Sequence, residues 1–154
     1  MAFVAGAGND LEIGAFGARG KAPAPSDKAR DTVRVLSDFD ETGHARKITV
    51  FADGLNIPSG IAVGHGGVWV ANSPDILFYP DKDRDGKPDG KPEVVVTGFG
   101  RTDTHELPNS LTWGPDGYLY GLNGVFNHSH IKYTQENPNY HENHPGWPIT
   151  CAMF

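Results

Sequence analysis

Apolar residues recur along this chain in short runs, each soon closed by glycine, proline or a polar turn residue. The runs are Ala2–Ala5, Thr32–Leu36, Ile48–Phe51, Ile61–Val63, Val68–Ala71, Ile76–Tyr79, Val94–Thr97, Leu111–Trp113, Tyr118–Leu122 and Thr150–Phe154. Pieces of this length, among twenty glycines and twelve prolines, predict strands joined by turns rather than long helices, and the class is all-β. Parts of the pattern repeat. Pro58–Val70 aligns on Pro108–Tyr120 without a gap at an offset of 50 residues, which matches Gly64-His65-Gly66-Gly67 with Gly114-Pro115-Asp116-Gly117 as tight hairpins. Leu36–Gly43 aligns on Tyr79–Gly86 at an offset of 43. Spacings of this order, with four strands to a unit, indicate the blades of a β-propeller.

The register divides the chain into an incomplete blade over 1–57 that lacks its inner strand, a complete blade over 58–107, and a blade over 108–154 that stops after its third strand. Together they make a fragment of about two and a half blades, fewer than the roughly four to eight that close a propeller. Unpaired strands at both ends would make such a piece unstable by itself. In an antiparallel meander alternate turns return to the same side. The hairpins between first and second strands therefore share one face with the Asp-rich loop 81–90. The linker 98–110 and the long insertion 123–149 share the other. An insertion of this length exceeds an ordinary connection and reads as a functional loop.

A formal charge of −6, with no cluster of lysines and arginines, excludes a general nucleic-acid binder and disfavours anionic membrane surfaces. No apolar run is long enough to span a membrane, and Met1–Gly8 has neither the basic start nor the hydrophobic length of a signal peptide. A single cysteine, Cys151, excludes an internal disulfide and a multi-cysteine zinc site, and is read as a small buried hydrophobe. There is no P-loop, dinucleotide fingerprint or G-x-S-x-G motif.

Asp81-Lys82-Asp83-Arg84-Asp85-Gly86-Lys87-Pro88-Asp89 has the first nine positions of a calcium loop. Carboxylates at one, three and five converge on a hard cation, glycine at six allows the turn, and the Lys87 carbonyl and the Asp89 carboxylate add oxygens. Position twelve is Pro92 in place of the bidentate glutamate, so the alternative is a solvated turn tip. The earlier copy, Asp38, Asp40, Thr42 and Gly43, has Arg46 at position nine and is expected to bind nothing. His105, flanked by Asp103 and Glu106 in the linker, is a candidate general base for an alcohol, against the plainer reading of a polar loop residue packed between blades. His128 and His130, with His141 and His144, have spacings that suit a transition metal only if the two pairs meet, and solvated loop residues are the favoured reading. Trp69, Trp113, Tyr118 and Tyr120 are expected to pack between blades.

Four stretches together resemble one family: Ala52–Ile61, Trp69-Val70-Ala71-Asn72, Asp103–Gly117 and Tyr120–Phe126. It is the DUF7133-like group of membrane-bound dehydrogenase propellers of planctomycetes and verrucomicrobia, itself similar to soluble glucose/sorbosone dehydrogenases. The resemblance runs from about Asp31 to Phe154. It implies a six-bladed propeller exported to the periplasm or another extracytoplasmic space, and a cytochrome c-like domain in the full-length protein. It also implies pyrroloquinoline quinone with calcium as cofactors, and a sugar-like alcohol, aldehyde or polyol as substrate. His105 then matches the histidine that takes the substrate's hydroxyl proton, one residue further from its Leu111–Gly117 strand and turn than in those enzymes. Asn123-Gly124 stands where they carry Gly-Asp. Arg101 and Asn123 are the candidates for holding the quinone, with Lys132 as a further cation in this stretch. The fragment alone is expected to be inactive. A non-catalytic propeller that binds carbohydrate or protein through the same face is the alternative.

Overall fold

The computed structural model describes residues 30–154 and the strand backbone of Ala2–Gly6; Met1, Ala7 and Gly8 of the octapeptide considered as a leader lie outside the described residues. The strands are β1 (Ala2–Gly6), β2 (Asp31–Phe39), β3 (Ala45–Leu55), β4 (Gly60–Gly64), β5 (Gly67–Asn72), β6 (Asp75–Pro80), β7 (Glu93–Thr97), β8 (Asn109–Trp113), β9 (Leu119–Asn123), β10 (Ser129–Tyr133), β11 (Trp147–Ile149) and β12 (Ala152–Met153). They form three antiparallel sheets with neighbour orders β1-β2-β3, β4-β5-β6-β7-β10-β11 and β8-β9-β12. The described residues contain no α-helix, and the single 3₁₀ turn is Thr104–Glu106. The chain is all-β.

The second sheet is the central layer, and its strands alternate between two cores. Val68 and Val70 of β5, with Leu77 and Tyr79 of β6, pack against Val33, Val35, Phe51, Ala52 and Leu55 of the first sheet. The intervening Ala71 and Ile76 turn the other way and pack with Leu111 and Phe99, joined by Trp69, Leu119 and Phe154. Burial on both faces explains why these strands read as continuous apolar runs. The first and second sheets also share an edge-on ring contact between Phe51 and Tyr79, 5.8 Å apart.

The 50-residue repeat is physical. Its two copies run beside each other through β4 and β8, and Trp113 Nε1 donates to the carbonyl of its own counterpart, Val63, at 3.0 Å. Trp113 also meets Trp69 edge-on at 5.7 Å, as expected of strand tryptophans between layers. The β4–β5 hairpin closes through His65 and Gly66, both at positive φ, the conformation that its two-residue turn requires. The β8–β9 turn closes through Gly114 and Gly117, with Gly117 at φ +85°.

Three readings of the sequence are corrected. The insertion is no irregular loop: β10 and β11 lie inside it and extend the second sheet, with Lys132 and Tyr133 pairing Thr97 and Val96 of β7. The outer edge of β7 offers unpaired amides and carbonyls, and β10 fills them. Tyr118 does not pack between sheets, because it falls in the turn before β9 and is 71% exposed. Cys151 is exposed rather than buried; it stands between β11 and β12 at φ +47°.

Gly98 marks where the insertion docks. At φ +101° its N–H donates to Pro74 O and its carbonyl accepts from His130 N, and an added Cβ would strike the His130 carbonyl. Gly98→Ala is expected to lower stability by about 2 kcal/mol through backbone strain and this collision, checked as a lower urea midpoint at unchanged slope.

Candidate functional site

The end of the sheets where β7 stops and β8 begins is where the linker and the insertion meet, as the alternation of turns requires. Asn127 joins them. Its side chain is fully buried, its Oδ1 accepts from Thr102 N, Asp103 N and Thr102 Oγ1 at 2.8, 3.0 and 2.9 Å, and its Nδ2 donates to Asp103 O at 2.8 Å. Ser129 Oγ accepts from Gly100 N at 2.8 Å and donates to Asn123 Oδ1 at 2.8 Å. Glu106 Oε2 accepts from Phe126 N at 2.6 Å. The sequence reading passed over Asn127 and Ser129 as members of a histidine-rich stretch. The amides they hold, of Thr102, Asp103 and Gly100, lie more than twenty residues away, so spacing carried no sign of that role.

His105 sits on this frame. Asp103 caps the 3₁₀ turn: its carboxylate accepts the His105 backbone N–H at 2.9 Å, and the same oxygen lies 3.2 Å from His105 Nδ1. If Nδ1–H donates to Asp103, the tautomer is set and Nε2 is the nitrogen able to take a proton. The His105 side chain is 44% exposed, open to a ligand from solvent. This is the pairing of base and orienting carboxylate that proton abstraction uses.

The two quinone-binding candidates sit differently. The Asn123 side chain is buried and occupied within the chain, with Nδ2 donating to Gly124 O and Asn127 O at 3.0 and 2.9 Å and Oδ1 accepting from Ser129. Arg101 is partly buried; burial pulls its guanidinium below the ordinary arginine value, and the Asp75 carboxylate opposes that pull. Lys132 lines a cleft of about 630 Å³ between the second and third sheets, together with Trp69, Trp113, Tyr133, Asn137 and Trp147. His105 is not among the residues lining that cleft.

The Asp-rich loop lies at the opposite end of the sheet, between β6 and β7, tied to the β4–β5 hairpin by Asp81 N donating to Gly66 O at 2.9 Å. Asp81, Asp83 and Asp85 each place a carboxylate oxygen within 4.8 Å of the others. Asp81 is buried, and burial raises its carboxyl above the ordinary carboxylate range; the charges of Asp85 and Asp83 push the same way, while the Gly86 and Asp85 amides oppose. Asp89 is not in this group: its Oδ2 accepts from Lys82 N at 2.8 Å and clasps the start of the loop. Lys87 donates its amide to Asp85 Oδ1 at 2.8 Å, and its Nζ is 3.4 Å from Asp85 Oδ2.

The earlier copy behaves otherwise. Asp40 Oδ1 accepts from Thr42 N, Thr42 Oγ1 and His44 N at 2.9, 2.6 and 3.0 Å, and these bonds, the Thr42 hydroxyl first, hold its carboxyl below the ordinary range. Among the described residues no group of histidines has metal-ligand spacing; His144 instead stacks on Trp147 at 4.0 Å. No helix of the described residues is long and apolar enough to cross a membrane.

Neither the curated proteins nor the solved structures contain a match to this chain. A family model does match, across residues 16–145, a span that takes in the linker, the Asp-rich loop and most of the insertion. On that match, the chain belongs to the DUF7133 family, a domain of unknown function.

Proposed function

We propose that this chain is part of a propeller-type oxidoreductase, related to the glucose/sorbosone dehydrogenases, in which His105 removes the hydroxyl proton of a sugar-like alcohol or hydrated aldehyde. The observation that carries the reading is the contact between His105 Nδ1 and Asp103 Oδ1 at 3.2 Å on a turn anchored by buried Asn127. As the carbon loses hydride, the O–H proton passes to Nε2 and the C–O bond becomes a carbonyl, so base and hydride acceptor must work on one carbon. Pyrroloquinoline quinone, the acceptor implied by the resemblance, would supply the hydride sink. The Asn123 side chain is occupied within the fold, so the proposal gives this chain the base, with Arg101 left as the candidate toward the quinone. Blades, export and a cytochrome c-like partner domain belong to the same proposal.

A second reading, carbohydrate recognition without catalysis, draws on the cleft beside Trp69, Trp113 and Trp147, whose aromatic faces and nearby Asn137 suit a sugar ring. Dye reduction separates the two. The full-length parent protein, supplied with quinone and calcium, is expected to reduce a redox dye only when a sugar or polyol from a test panel is present. A folded parent that reduces no dye with any of them, yet whose tryptophan fluorescence changes saturably with a sugar, would replace the enzyme reading with recognition.

A further inference from the structure

We infer that Asp81, Asp83 and Asp85 bind one calcium ion, which fastens the β6–β7 loop at the end of the sheet remote from His105. The inference is independent of the oxidoreductase reading, because the ion would brace the fold and touch no substrate. Two observations meet here. The first is convergence: three carboxylates bring their oxygens within 4.8 Å, where like charges repel unless something neutralises them. The second is an unmet group: Asp81 is 4% exposed, and its Oδ1 has no hydrogen-bond partner. A buried carboxylate oxygen without a donor is costly, and a cation held between it and its two neighbours removes that cost.

The ligands select the ion. All are hard oxygens, so calcium or magnesium suits them and zinc or copper does not. The set comes from one short Asp/Gly loop, in which the sequence pattern offers the Lys87 carbonyl as a fourth oxygen, an irregular geometry that calcium tolerates and magnesium's strict octahedron does not. With Pro92 in place of a bidentate glutamate, binding in the range of about 10⁻⁴–10⁻³ M is expected. The exposed contact of Lys87 with Asp85 gives way to the doubly charged ion. The Asp38–Gly43 copy supplies the contrast, since Asp40 spends its inner oxygen on Thr42 and His44.

The test is calorimetric titration of the whole chain, freed of metal by a chelator, with calcium chloride, beside thermal unfolding. One ion should bind saturably and raise the melting temperature. Asp83→Asn and Asp85→Asn, both at exposed positions, should fold normally and weaken binding by about tenfold or more. Asp40→Asn should bind as the wild type does. Asp81→Asn should bind least, and if it fails to fold the two exposed variants carry the test. Absence of saturable binding, or binding that Asp83→Asn and Asp85→Asn leave intact, would overturn the site. An equal response to magnesium would overturn the choice of calcium.

Discussion

Asn127→Ala is expected to lower the stability of this chain by about 3 kcal/mol, with a fall in melting temperature of roughly 6–12 °C. One buried oxygen there satisfies two backbone amides and a hydroxyl, and the partner nitrogen satisfies the Asp103 carbonyl. Alanine leaves those groups facing a small cavity, and each unmet buried donor costs about 1–3 kcal/mol. Asn127→Asp keeps the acceptor but loses the donor and sets a second carboxylate beside Asp103, so it should lie between wild type and alanine. Equilibrium unfolding in urea decides this: a loss under about 0.5 kcal/mol for Asn127→Ala would mean that the linker and insertion are not held together as described.

On the proposed oxidoreductase reading, His105→Ala is expected to lower kcat by about 10²- to 10⁴-fold while KM changes little, since a proton acceptor acts in the transition state and contributes little to ground-state binding. Stability should stay within about 0.5 kcal/mol, because the side chain lies largely on the surface and its contacts are local. Asp103→Asn should lower kcat by less, as the imidazole keeps its place but loses the carboxylate that sets its tautomer and stabilises the imidazolium. This pattern separates His105 from Asn127. The first should affect rate alone, and the second both rate and folding, since Asn127 holds the Asp103 backbone that orients His105.

Much of this architecture was legible in the sequence because it is local or repeated. Each of the ten apolar runs between glycines, prolines and polar turns corresponds to a strand, and the Pro58–Val70 and Pro108–Tyr120 repeat places β4 beside β8. The convergence of Asp81, Asp83 and Asp85 follows from alternate positions in a tight loop. What escaped was long-range. Nothing in Ser129–Tyr133 marks it as a strand that adds to β7, since it pairs there through Lys132 and Tyr133 only because the β7 edge is there to meet it. Asn123 was a candidate ligand only through the family resemblance, and its side chain turns inward to Ser129 and Asn127. Asp89 likewise closes on the Lys82 amide, a bond that spacing alone does not distinguish from metal ligation.

The measurement that tests the proposed function most directly is imidazole rescue of dye reduction in the His105→Ala protein. An exposed site that has lost only its base should admit free imidazole, and the rate should rise saturably with added imidazole toward the wild-type value, without any change in folding. A His105→Ala protein that stays fully active, or one whose lost activity imidazole leaves unchanged, would contradict the assignment of His105 as the residue that takes the proton.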